Sequence, residues 1–530
     1  MSAPSTQTTV DGLVETSVDL SQSPYYSPDM APTTRAERRW GLKDIAVLWI
    51  SMSACIPTYM LASSLIDGGM DWRQAVLTVF LGNVIVLIPM VLNAHAGTRY
   101  GIPFPVYCRA SFGILGANLP ALLRAFVACG WFGIQTWIGG EAIYTLLKEF
   151  FPAWGALPLL LANPGDPEST GLGINGAQLA CFLAFWLVNM AVIYKGIESI
   201  RVLLNIKAPL LIVLGLALLA WAYYAAGGLG EMLTRPSQFA AGGPKAGKFW
   251  SFFVLMLTGN VSFWATLALN IPDFSRYARS QRDQVLGQAL GLPTTMGLYS
   301  FIGVAVTSAA MVIYKDLPAD QLKKLWDPVF LLSLFENRAV LVIAMASLAI
   351  ATLATNIAAN VVSPANDFAN MWPRVISFRI GGFITGVIGI LIQPWHLVAN
   401  TEVYIGKWLV GYSLLLGAVG GVLIADYVAL RRMKLDLAGL YSKAGPYWYV
   451  NGINPIALAA LLVGMSLCIP GFLATTGQIY LTGDLNAPEG AETWPGIWGD
   501  LYNYAWFTSF GAAFVSYLGL MLTFGRKYLR

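Results

Sequence analysis

Charge is scarce in this chain. Of its 530 residues only 11% are Asp, Glu, Lys or Arg, while 56% are hydrophobic. Soluble domains carry about 25% charged residues, so the composition excludes an ordinary soluble fold and reads as a polytopic membrane protein. Histidine is nearly missing, at two residues. The five cysteines (Cys55, Cys108, Cys129, Cys181 and Cys468) are scattered, odd in number and without a CxxC pair. That excludes a disulfide framework and a zinc site. There is no HExxH, GxSxG or phosphate-binding loop, which removes the common enzyme classes, and the chain reads as a non-enzyme without a cofactor. The net charge of +4, with no long basic run, gives no reason to expect a nucleic-acid partner. The opening residues are rich in Ser, Thr, Pro and acids and lack the charged start and apolar run of a signal peptide. Residues 1–33 are therefore expected to form a disordered cytoplasmic tail.

What the chain has instead is apolar length. A helix needs about 20 apolar residues to cross the hydrocarbon. Twelve such stretches are expected, at 44–66, 74–95, 119–142, 174–194, 203–224, 250–270, 287–313, 338–362, 378–394, 403–426, 454–474 and 504–525. An even number puts both termini on one side. With both termini inside, about two thirds of the 32 basic residues fall on the inner segments, as the positive-inside rule requires. The expected location is the cell membrane, with both ends cytoplasmic.

Two of these spans are interrupted. Span one reads "WISMSACIPTYMLASS", with small residues ahead of Pro57. Proline removes a donor and disfavours helix in the residue before it. Span six reads "LMLTGNVSFWATLALN", with Gly259 and Asn260 near mid-membrane. Simple kinking would explain either one alone. Interruptions at matching places in two halves point to inverted repeats with the site at the breaks. The expected plan is five plus five helices and two more, with a transporter core over 34–430. Residues 431–530 then supply the two additional helices and the C-terminus.

Polar and aromatic groups recur at one depth. Span three carries Trp131 and Gln135, one helical turn apart. Span six carries Trp264, and span eight carries Asn356 and Asn360. Tryptophan offers a flat face for stacking, and an amide offers both donors and acceptors. Together they suit a flat, neutral heterocycle with alternating N–H and C=O groups. The plain alternative is that the amides glue helices together, as they often do in membranes. No acid stands at mid-span, and Glu141 lies toward the outer end of span three. A proton pump normally needs a buried titratable group. A sodium site needs only carbonyls at an unwound helix and hydroxyls, for which Thr352 and Thr355 are available.

Three stretches now carry a family signature: "RASFGILGANLPALLRAFVACGWFGIQTW", "FWATLALNIPDFSRYARSQRDQ" and "NIAANVVSPANDF". In this order they resemble the nucleobase–cation symporter-1 family, in its hydantoin, allantoin and uracil permease branch. The likeness runs from about residue 33 to about 450. It implies an all-α, leucine-transporter-like five-plus-five inverted repeat with two C-terminal helices. It implies a ring sandwiched by Trp131 and Trp264, with Gln135 and Asn360 on its edge. It also implies a sodium site between span one and span eight. The candidates are Ala54 and Pro57 in "SACIP", with Ala351 and Thr355 facing them. Where a second hydroxyl is expected beside Thr355, this chain has Ala354. The resemblance thus implies cation symport of a nucleobase-like or cyclic ureide solute through the bilayer by alternating access, with sodium as coupling ion. Proton coupling and passive facilitation are the alternatives.

Overall fold

Among the residues that the computed structural model describes (7–163, 170–195, 212–228, 233–484, 487–488 and 491–529), helices dominate. Seven are long and apolar enough to cross a membrane, and two bent helix pairs raise the number to nine. In chain order the elements that build the site begin with α1 (Leu42–Ser53), α2 (Ile56–Asp67), α3 (Trp72–Tyr100) and α4 (Asn118–Phe150). Then come α5 (Gly176–Lys195), α6 (Ile212–Ala225), α7 (Phe249–Phe263), α8 (Ala265–Asn270) and α9 (Gln281–Ile313). The short α10 (Pro328–Ser333) precedes α11 (Arg338–Asn360), α12 (Val362–Met371) and α13 (Phe378–Leu391). Last are α14 (Glu402–Leu430), the bent pair α15 (Pro455–Ser466) and α16 (Ile469–Thr475), and α17 (Ala505–Thr523). Three shorter apolar helices, α6, α7 and α13, fall where spans five, six and nine are expected. Residues 203–211 of span five lie outside the described residues.

The break in span one falls inside "SACIP". Helix α1 stops at Ser53, Ala54 and Cys55 leave helical geometry, and α2 departs at 57°. Pro57 sits in the first turn of α2, where its missing N–H costs no hydrogen bond. Span six corrects the sequence reading. Helix α7 runs unbroken through Gly259 and Asn260 and ends at Phe263, and Trp264 is the irregular residue (φ −103°, ψ 6°). Gly259 is there for close packing: a Cβ would lie 2.9 Å from Ile405 Cγ2. Asn260 does not release the helix, because its Nδ2 donates to the Met256 carbonyl one turn back at 2.8 Å.

The N-terminal stretch is a second correction. Residues 7–33 are folded rather than disordered. Strands β1 (Gln7–Val10) and β2 (Leu13–Thr16) pair antiparallel across Asp11–Gly12, both at positive φ, the Asp-Gly turn that suits a two-residue hairpin. Buried Arg38 donates to the carbonyls of Val14, Thr33, Thr98 and Arg99. Met30 is fully buried, and its carbonyl accepts from the Tyr441 hydroxyl at 2.6 Å.

Helix α9 packs along α1, α2 and α3, while α4 packs along α5, α11, α12 and α13. Where the two groups face each other lie the breaks. Between α4 and α12, Arg124 and Asp367 form an ion pair at 3.4 Å with both side chains fully buried.

Candidate functional site

All four residues expected to contact the ring line one cavity: Trp131 and Gln135 on α4, Trp264 at the α7–α8 break, and Asn360 at the end of α11. Pro57 and Thr355 line it too, as do Met52, Cys55 and Phe263. The cavity measures about 30 Å³. A single water needs roughly 10–15 Å³ on this measure, so a planar heterocycle enters only after one wall has moved.

Each wall has a physical cause. The Trp131 indole is wedged edge-on between Phe263 and Trp408, at centroid distances of 5.2 and 6.2 Å. Its Nε1 donates to the Tyr412 hydroxyl at 3.3 Å, and that hydroxyl donates onward to the Ser262 carbonyl at 2.8 Å. Trp264 stands edge-on to Trp49 at 5.3 Å. Its Nε1 is buried without a hydrogen-bond partner. Gln135 is 3% exposed, and its Oε1 also has no partner. A buried amide oxygen without a donor costs about 1–3 kcal/mol. This one stands on the wall of the cavity, where a ligand N–H would satisfy it.

Asn360 is held by a file of amides. Its Nδ2 donates to Asn356 Oδ1 at 3.1 Å. Asn356 Nδ2 in turn faces Asn189 Oδ1, Thr136 Oγ1 and the Phe132 carbonyl at 3.0–3.2 Å. The sequence reading paired Asn356 with Asn360 but missed Asn189 and Thr136, which sit in apolar helices with nothing local to connect them. It also missed Tyr404, Trp408 and Tyr412. Their four-residue spacing on α14 puts these three aromatics on one face, a signal that was open to reading.

The cation candidates divide. Pro57 and Thr355 reach the cavity, whereas Ala54 and Ala351 lie together in an adjoining buried cluster with Tyr59 and Tyr299. The Thr355 hydroxyl donates to the Ala351 carbonyl at 2.9 Å, leaving its oxygen lone pairs free to face a cation. The Pro57 carbonyl accepts from the Tyr404 hydroxyl at 3.3 Å. Thr352 Oγ1 is buried without a hydrogen-bond partner. Among the described residues no group of three His, Cys, Asp or Glu could hold a metal ion.

Comparison with known proteins gives this geometry a lineage. The family described as permeases for cytosine/purines, uracil, thiamine and allantoin matches residues 32–492. The purine-uracil permease of Arabidopsis thaliana is 45% identical over 447 residues, covering 84% of this chain and 71% of the relative. The allantoin permease of Bacillus subtilis is 36% identical over 494 residues, covering 93% and 92%. Among solved structures, a nucleobase-cation-symport-1 family transporter in a closed conformation with bromovinylhydantoin bound superposes with a TM-score of 0.71 at 23% identity. The overlap covers 95% of this chain and 96% of that one, a likeness of fold. The relatives are named as permeases rather than enzymes, and the apolar helices make the chain a multi-pass membrane protein. The chain belongs to the nucleobase–cation symporter-1 family of permeases for cytosine/purines, uracil, thiamine and allantoin.

Proposed function

We propose that this permease imports a nucleobase-like or cyclic ureide heterocycle by cation symport with alternating access. The observation that carries this is the orphaned Gln135 Oε1, on the wall of a cavity flanked by two tryptophans and two broken helices. In this reading Trp131 and Trp264 stack on the two faces of the ring, and Gln135 and Asn360 read its edge. The side chains close on a space smaller than the ring, as expected of a site that opens to one side at a time. The helices form twelve spans, as a five-plus-five inverted repeat over 34–430 and two further helices over 431–530, with both termini cytoplasmic. Sodium is the coupling ion, held between the span-one break and α11. Thr355 on the cavity wall supports that placement, with the Ala54 carbonyl at the break, the Pro57 carbonyl beside it and Ala351 behind Thr355.

The test is uptake of labelled uracil, allantoin and hydantoin into vesicles holding the purified protein. An inward sodium gradient is expected to drive accumulation above equilibrium. Uptake that follows a pH gradient and ignores sodium would replace sodium by the proton, and Ala354→Ser would then be the variant expected to restore a sodium response. Equilibration without accumulation would make the protein a passive facilitator and refute symport.

A further inference from the structure

We infer that the amide relay Asn189–Asn356–Asn360 locks Asn360 with its oxygen toward the cavity, so that the transported ring must present an N–H at that edge. This rests on the heterocycle reading above and specifies which ligands the site accepts.

An isolated asparagine reads poorly, because its oxygen and nitrogen exchange places on a half-turn of the amide. Which atom is which must be deduced from the surrounding hydrogen bonds. Here they leave one answer. The relay begins at a backbone carbonyl, which accepts and cannot donate. Asn189 Nδ2 donates to the Phe185 carbonyl at 2.9 Å, which turns Asn189 Oδ1 toward Asn356. The group of Asn356 that faces it must therefore be the NH2. The Phe132 carbonyl enforces the same choice, and the Thr136 hydroxyl accommodates it. The Phe132 carbonyl lies 3.2 Å away, and Thr136 has spent its hydroxyl proton on that same carbonyl at 2.7 Å, so Thr136 Oγ1 receives at 3.0 Å. Turning Asn356 over would set its oxygen against two obligate acceptors, Asn189 Oδ1 and the Phe132 carbonyl, and would draw the Thr136 hydroxyl proton off that carbonyl, in a place where Asn189, Asn356 and Thr136 are all 0% exposed. A buried group left unpaired costs about 1–3 kcal/mol. Asn356 Oδ1 is thereby fixed toward Asn360, and Asn360 Nδ2 meets it at 3.1 Å. What Asn360 has left for the cavity is its oxygen, with at most one further N–H beside it.

The relay crosses α5, α4 and α11, which pack together on one side of the site. Its orientation is set by packed backbone and does not depend on the ligand. Asn189, Thr136 and Asn356 are positioning residues that act through Asn360. A ring with N–H opposite Asn360 Oδ1 completes the network. A ring with oxygen or a deprotonated nitrogen there sets acceptor against acceptor.

The experiment is binding by tryptophan-fluorescence quenching on the purified full-length protein, first with uracil, hydantoin, allantoin and hypoxanthine. Each binder is then compared with analogues in which one N–H at a time is replaced. For uracil these are the two oxauracils, for hydantoin oxazolidine-2,4-dione, and for the others the N-methyl derivatives. Replacing the N–H at one position is expected to weaken wild-type binding by about 5- to 150-fold. In Asn356→Leu the Asn360 amide is free to turn, and that ratio is expected to fall toward one. A wild-type protein that binds every N–H-replaced analogue as tightly as the parent overturns the inference and leaves the transport reading intact. So does a folded Asn356→Leu protein that keeps the full ratio. If none of the four heterocycles binds, the transport reading itself fails and takes this inference with it. The wild-type arm needs no variant to fold.

Discussion

Replacing Gln135 by leucine separates a ligand contact from a structural one, because the structure gives the two roles opposite signs. Gln135 Oε1 is buried and receives no hydrogen bond. The apo protein therefore bears an unsatisfied acceptor worth roughly 1–3 kcal/mol, and leucine, of similar volume, removes it. The purified Gln135→Leu variant is expected to melt at or above the wild-type temperature without ligand. Bound to a heterocycle, wild-type Gln135 gains the hydrogen bond that leucine cannot make, and the ring's own polar group is left unpaired in the variant. Affinity is expected to fall about 5- to 150-fold by the same 1–3 kcal/mol. The assay is thermal unfolding with and without ligand, beside fluorescence titration of the same preparations. A lower apo melting temperature with unchanged affinity would refute the reasoning, because the amide would then be holding helices together.

Three further outcomes follow from charge and topology. Arg124 and Asp367 pair at 3.4 Å with no exposure, so Asp367→Asn, which takes the ion-pair partner from a buried guanidinium, is expected to destabilise by about 3–5 kcal/mol. The double variant Arg124→Met, Asp367→Leu is expected to recover most of that in thermal melts. Asp327, in the loop ahead of α10, has its carboxyl pushed up to about 6 by burial, while its side chain caps α10 through the Val329 N–H. The folded state then holds this proton more tightly than the unfolded chain, so the group's contribution is full below about pH 4 and is lost as pH rises through about 6. Asp327→Asn keeps the cap, and is expected to raise the melting temperature at pH 7 with the gain vanishing near pH 4. A cysteine introduced at the C-terminus is expected to stay unlabelled by an impermeant reagent on intact cells, and labelling would invert the proposed topology.

How much of this was legible in the sequence depended on whether the cause was local. Trp131, Gln135, Trp264 and Asn360 stand out because polar or amphipathic groups are conspicuous in apolar spans, and all four do reach one cavity. The break at Ala54–Cys55 was legible because proline acts on its own neighbours. The break in span six was misplaced because glycine has two uses. Gly259 was read as a helix breaker, yet its role is to admit Ile405 from a helix about 150 residues away. The N-terminal stretch was misread for the same reason. Its Asp11–Gly12 turn is local, but what folds it is Arg38 reaching the end of α3 and Tyr441 reaching Met30. The amide relay is likewise invisible in one dimension, since Asn189 and Asn356 meet only when α5 packs beside α11.

The second break raises a demand that α14 meets. Interrupting a helix within hydrocarbon frees carbonyls, which must find donors inside the protein. Helix α14 brings two hydroxyls to the broken segments. Tyr412 donates to the Ser262 carbonyl, in the last turn before the second break, while Tyr404, two turns earlier, donates to the Pro57 carbonyl in the first turn after the first break and so ties α14 to α2. Tyr412 also receives the Trp131 indole N–H from α4, so one hydroxyl ties α4 to the end of α7 opposite. A wall must move before a ring can enter the 30 Å³ cavity. If α1, α2, α7 and α8 supply that movement, α14 must travel with them or these hydrogen bonds must be exchanged. Loss of the Tyr412 hydroxyl, as in Tyr412→Phe, would leave both the Ser262 carbonyl and the Trp131 indole without that partner. Its effect is therefore expected on the rate of opening as well as on affinity, whereas Gln135→Leu is expected to leave the rate of opening unchanged.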